Sequence, residues 1–161
     1  MKILVLLFSL WACLAQAQSD TEGLAIMKPI NALFAGMNLG DSAMVHSAFT
    51  ADATMASIGK DKAGKVTLRR ESSVSGFLKA VGTPHKDPWS EPIWDARIDV
   101  DGDFAQVWTP YAFYLGKKFN HCGVDAFHLV KQNGTWKIFH LADTRQTENC
   151  NVPQAISNQF K

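Results

Sequence analysis

Near the end of the chain, His121 and Asp125 stand four residues apart, and Asp143 and Arg145 two apart. In extended backbone such even spacing puts each pair on one face, because successive side chains point to opposite sides of a strand. The same alternation adds Phe127, Leu129, Phe139 and Leu141 to that face. An apolar floor with a few convergent polar groups is what a small-molecule site requires. A carboxylate against such a floor has its charged form desolvated, which raises its proton affinity toward the range of general acid and base chemistry. Asp125, Asp143 and His121 are therefore the catalytic candidates. Trp108, Phe127, Leu129, Phe139, Leu141 and Arg145 are the candidates for lining a ligand. A purely structural reading is equally physical: Asp143 and Arg145 pair, Asp125 supports backbone or Arg145, and His121 sits at the rim. A β-bulge would exchange the faces.

Other chemistries find little support. His128 and His140 share the opposite face, but no carboxylate or third histidine joins them at metal-ligand spacing. They read as core or dimer-interface histidines, and His46 as a rim or surface residue. No Ser-His-Asp order, phosphate loop, dinucleotide fingerprint or zinc motif is present. No metal and no cofactor is expected.

The elements that must position these residues read as helices first and strands afterwards. Ile26, Ile30, Leu33, Phe34 and Met37 form a helical stripe between Thr21 and Asn38, with Pro29 predicting a start near Lys28 or a kink. Asp41 caps a second helix carrying Met44, Val45, Ala48 and Phe49. Short strands are expected over 53–58 and 65–69, and a third helix over 73–81. Long strands over 93–100 and 104–115 flank Asp101-Gly102, a hairpin signal. Strands over 118–131 and 135–144 flank Gln132-Asn133-Gly134. That turn places Asp125 opposite Leu141, Gly123 opposite Asp143, and Cys122 opposite Thr144. The result is an α+β domain, three helices on one face of a curved four-stranded antiparallel meander.

The N-terminus reads as an export leader. Lys2 precedes the apolar run Ile3 to Leu14, and Ala15-Gln16-Ala17 offers the small-x-small pattern of signal peptidase. Cleavage after Ala17 makes residues 1–17 a signal peptide and 18–161 a single domain, secreted or periplasmic. The run is too short for a membrane span, which takes ~20 residues. Lipidation at Cys13 is the rival, opposed by the bulky Trp11 nearby. The chain holds 16 basic and 15 acidic residues, and loss of Lys2 balances them. With no basic stripe, a nucleic-acid partner is disfavoured. Cys122 and Cys150 remain after cleavage, and an oxidising compartment favours a disulfide between them. A reactive thiol or a metal ligand is the alternative.

Taken together, Tyr111-Ala-Phe-Tyr114, His121-Cys-Gly-Val-Asp-Ala-Phe127, Trp136-Lys-Ile138, Asp143-Thr-Arg145 and Cys150 resemble the nuclear transport factor 2-like superfamily. Gly36 to Asp41, Phe49 and Asp52-Ala53 fit the same pattern. The likeness is to its secreted branch, grouped as SnoaL-like and "putative lumazine-binding" proteins. The resemblance implies a cone, a strongly bent sheet wrapped around the N-terminal helices and enclosing a pocket. It also implies a homodimer, formed through an outer sheet face bearing Val124, Ala126, His128, Val130, Ile138 and His140. The superfamily holds isomerase- and cyclase-like enzymes, ligand-binding proteins and protein-interaction modules, so fold alone does not decide activity. The leading expectation is an exported domain binding a small apolar or aromatic molecule. The alternatives are a cofactor-free isomerase, cyclase or dehydratase using a pocket Asp and His, and a protein-interaction module.

Overall fold

The computed structural model describes residues 4–161, with side chains from Thr21 onward. The expected leader, its cut after Ala17 and the Cys13 alternative lie outside the residues whose side chains are described. Helix α1 (Leu4–Leu39) runs through Pro29 without ending there. Ile26, Ile30, Leu33 and Met37 are its buried stripe, recurring every three or four residues as one helix face requires. A short helix, α2 (Ser42–Ala48), follows at once. Asp41 caps it, its carboxylate accepting from the Met44 amide at 2.9 Å. Helix α3 (Ser75–Gly82) adds Val81 to the core.

The sheet has seven strands: β1 (Phe49–Lys60), β2 (Val66–Glu71), β3 (Trp89–Ser90), β4 (Arg97–Asp101), β5 (Phe104–Leu115), β6 (Lys118–Gln132) and β7 (Thr135–Thr144). Its order is β2-β1-β7-β6-β5-β3, with β4 also pairing β5. This extends the expected antiparallel meander in two ways. β1 is long and pairs parallel with β7, making the sheet mixed. The expected strand over 93–100 is shortened to β4, and a separate strand before it, β3, pairs with a different stretch of β5. The break follows from Pro92, which lacks an amide hydrogen, and from Asp95, which adopts φ 47°. A four-residue helix, α4 (Gln154–Ser157), and a single tight turn close the chain.

The helices pack on the concave face. Val107, Phe127, Leu129, Trp136 and Ile138 meet the α1 stripe there, each large apolar side chain stabilising the fold by ~1.5–3 kcal/mol on burial. Phe34 meets Phe127 edge to face at 6.1 Å. Glu22 ties α1 to the sheet, accepting from Trp136 Nε1 at 2.8 Å and from Lys131 Nζ at 2.9 Å.

The register of β6 against β7 differs from the expected one. The turn is two-residue, Asn133-Gly134 with both φ positive (52° and 75°), so Gln132 pairs with Thr135. Phe139 is then an extra residue in β7, because Leu129 pairs with Ile138 but His128 with His140. Beyond this bulge Asp125 faces Asp143, Phe127 faces Leu141, and Cys122 bridges to Gln146. The expected pairings of Asp125 with Leu141, Gly123 with Asp143 and Cys122 with Thr144 are therefore replaced. Ile138, expected outside, is in the core together with Trp136.

At the far end, Cys122 and Cys150 form a disulfide with their α-carbons 5.7 Å apart. The bonded pair leaves neither a free thiol nor a thiolate ligand. The tail it anchors folds over the convex face, where the Phe160 ring stacks on Tyr114 at 3.8 Å.

Candidate functional site

The corrected register sets one polar row across a concave face that is otherwise apolar. Thr109 of β5 faces Asp125 of β6, Asp125 faces Asp143 of β7, and Asp143 faces Ser57 of β1. The next row is Val107, Phe127, Leu141 and Met55. Asp125 and Asp143 are only 2% and 7% exposed. Carboxyl groups so buried need partners or protons.

Asp143 has partners. Three donors converge on it: Arg145 Nε at 2.6 Å, Ser57 Oγ at 2.5 Å and Tyr111 Oη at 3.3 Å. A local break in the ladder makes this possible. Val124 donates its amide to the Thr144 hydroxyl at 3.0 Å, which frees the Thr144 carbonyl to accept from Tyr111 Oη at 2.9 Å. That carbonyl leans over Gly123 so closely that a Cβ there would lie 1.8 Å from it. Only glycine fits there.

Asp125 has a proton instead. Its Oδ2 is buried with no N–H or O–H donor from the protein. The carboxyl of Glu91 lies within hydrogen-bonding reach, and two carboxyl groups share such a bond only if one is protonated. Asp125 is the donor: burial, then the neighbouring Glu91 and Asp143 charges, hold it well above the usual aspartate range. Burial likewise pushes Glu91 up to about 8, with Asp143 adding to the effect and Arg145 opposing it. Burial also raises the Tyr111 hydroxyl. His121 moves the other way, lowered to about 4 by burial and by the Arg145 charge, and is neutral near pH 7. Its Nδ1 lies 2.7 Å from Asn120 Oδ1, which can only accept.

Glu91 was not among the sequence candidates. It lies in the irregular stretch between β3 and β4, held against β5 by the Ala112 amide to the Pro92 carbonyl (3.1 Å) and the Trp94 amide to the Pro110 carbonyl (3.2 Å). The available signal was a glutamate set between Trp89 and the Pro92-Ile93-Trp94 run.

These groups surround an interior cavity of about 40 Å³, whose lining includes Glu91, His121, Asp125, Leu141, Asp143 and Arg145. Outside it an open groove of about 960 Å³ runs between the β1–β2 hairpin and the 144–149 loop. His121 and Arg145 line both spaces. Phe127 and Leu129 lie in the core behind the cavity. Phe139 and Trp108 do not line it: the bulge turns Phe139 to the convex face beside Phe104 and His128, and Trp108 is 41% exposed there. His128 and His140 pair directly on that face, rings 5.8 Å apart. Among the described residues, no group of three or more His, Cys, Asp or Glu side chains is arranged to hold a metal ion, and no helix is long and apolar enough to cross a membrane.

Solved structures share this architecture. A nuclear transport factor 2-like protein of unknown function from Shewanella baltica is 24% identical, with a TM-score of 0.61, over 80% of this chain and 97% of that one. A "Putative Scytalone Dehydratase" from Novosphingobium aromaticivorans is 15% identical, TM-score 0.64, over 82% and 89%. A "putative ketosteroid isomerase" from Shewanella frigidimarina is 20% identical, TM-score 0.54, over 74% and 94%. At these identities the likeness is one of fold. No curated protein matches the chain. The family profile described as "Putative lumazine-binding" matches residues 21–141. That match places the chain in the "Putative lumazine-binding" family, and its fold is the one shared with the nuclear transport factor 2-like structures.

Proposed function

We propose that this protein binds a small, partly apolar molecule in the groove at the mouth of the cone. The ligand's polar end meets the buried carboxyl cluster through Arg145 and His121. The observation that carries this reading is that those two side chains line both the open groove and the interior cavity. At about 40 Å³ the cavity admits one small polar group, whereas ligand sites usually run to ~300–1,000 Å³. The groove supplies that space and the cavity is its inner end. The test is mass spectrometry of small molecules released from natively purified protein. Wild type and the outer-face variant Trp108→Ala should carry the same molecule and Arg145→Ala should not. Equal occupancy in all three would reject the groove.

A second reading, a cofactor-free proton-transfer enzyme, is favoured by the Glu91–Asp125 pair. Glu91, near 8, is matched to accepting and returning a proton at neutral pH, while His121, near 4, serves only as a neutral hydrogen-bond partner. Exchange of the α-protons of a methyl ketone probe in D2O reads this directly, and no acceleration by wild type over Glu91→Gln would reject it. In either reading the protein is exported after cleavage following Ala17, which the intact mass of the exported form tests. It also dimerises through the uncovered convex face around Trp108, Phe139, His128 and His140, and a monomer by sedimentation at high micromolar concentration would reject that.

A further inference from the structure

We propose that Arg145 is a recognition point for a negatively charged group, and that the groove takes a small organic acid with a flat apolar body. This rests on the groove-binding reading and narrows its ligand class. The guanidinium is half exposed and donates Nε to Asp143, which leaves the planar fork of its remaining nitrogens for another acceptor. The surrounding groove carries Lys60 and Arg69 against Asp61 and Glu148. Asp61 is already engaged, one of its carboxylate oxygens accepting from the Ala63 and Lys65 amides at 2.9 and 3.0 Å in the hairpin turn. The floor therefore presents a cation with unused donors. The flat wall is Phe113, whose ring lies 5.1 Å from that of His121, and Ile58 of β1 belongs to the same lining.

The buried carboxyl pair gives this proposal a signature that a structural arginine lacks. Glu91 and Asp125 are faced by Asp143 and Arg145 from the end of β7, by His121 from β6 and by Tyr111 from β5. The helices contribute only Leu33, Phe34, Met37 and Phe77 to that lining. An anion on Arg145 adds negative charge beside Glu91 and so favours its protonated form. Its affinity should fall as pH rises through about 8, with proton uptake on binding in that range.

The experiment uses 1-naphthoate and the neutral 1-naphthalenemethanol, followed by calorimetry in two buffers and by amide shift mapping. Naphthoate should bind wild type ~10- to 100-fold more tightly than the alcohol, the range expected for charge-assisted hydrogen bonds. That preference should vanish in Arg145→Gln, shrink in Arg145→Lys, and weaken severalfold between pH 6.5 and 9.5. If both probes bind wild type equally with shifts in the groove, the anion proposal fails and the groove reading stands. A preference that survives in Arg145→Gln also overturns it. Shifts outside the groove, or no binding at millimolar concentration, overturn both.

Discussion

Replacing Glu91 by Gln removes a group that the fold holds protonated, and the structure fixes the sign of the consequence. Its value rises from the ordinary 4.5 to about 8. Between those two pH values the folded state binds more protons than the unfolded chain, so stability must fall as pH rises. The contribution of Glu91 is fully present below 4.5 and exhausted above 8. At 1.36 kcal/mol per pH unit the ceiling is ~4–5 kcal/mol. Glu91 as a residue is partly exposed and is coupled to Asp125, whose proton it accepts, so solvent and coupling reduce the expected loss to ~2 kcal/mol. Glu91→Gln keeps an acceptor for the Asp125 proton and deletes the titration. Urea unfolding at half-unit steps from pH 5 to 9 is the assay. Wild type and variant should be of similar stability at pH 5, and the variant ~2 kcal/mol the more stable at pH 8. Parallel pH profiles would refute the reasoning, because they would mean that Glu91 ionises in the fold as freely as in the unfolded chain.

Gly123→Ala should be among the most damaging single methyl additions, costing ~3 kcal/mol or more, since the new carbon collides with the Thr144 carbonyl. Thermal unfolding checks it, and a loss below about 0.5 kcal/mol would mean that β7 shifts freely. Tyr111→Phe should cost ~1–3 kcal/mol by leaving the Thr144 carbonyl without its hydroxyl donor, measurable by denaturant midpoint. Reducing the Cys122–Cys150 bridge, which spans 28 residues, should remove ~3–4 kcal/mol in the chain-entropy treatment. Hydrogen exchange should then quicken first in the 145–150 loop and the Phe160 segment, and uniform quickening would contradict a local latch.

Much of the fold was legible because its signals are local. The α1 stripe, the Asp41 cap and the hairpin glycines each act within a few residues, and the resemblance of the Tyr111–Phe127 region supplied the cone. The parallel pairing of β1 with β7 was not legible, since it joins residues about ninety positions apart and leaves no periodicity of its own. The site sits between these cases. Asp125, Asp143, His121 and Arg145 do share the concave side, but through a different register. A shorter turn and one bulge at Phe139 together moved the pairing by two residues. A shift of two preserves which face β6 presents, so His121 and Asp125 stay on the face of Asp143. The bulge exchanges faces within β7 itself, so residues before it (Trp136, Ile138) went inward while Phe139 went outward.

Glu91 was invisible for a different reason. Alternation can assign a face only where the backbone is regular, and Glu91 stands where Pro92 and Asp95 interrupt the edge of the sheet. The register of β3 nevertheless carries on past Glu91, because Ser90 pairs with Tyr114 and Ile93 bridges to Tyr111, which sets Glu91 opposite Phe113. The segment carries the Glu91 carboxyl within hydrogen-bonding reach of Asp125 on β6, whose Oδ2 is buried without an N–H or O–H donor. Asp125 alone at this depth, with Asp143 opposite, would be an uncompensated charge or a stranded donor. Glu91 converts it into half of a proton-sharing pair, and Arg145 balances the third carboxyl. Glu91 is thus the residue that turns a polar row into a site whose charge changes near neutral pH.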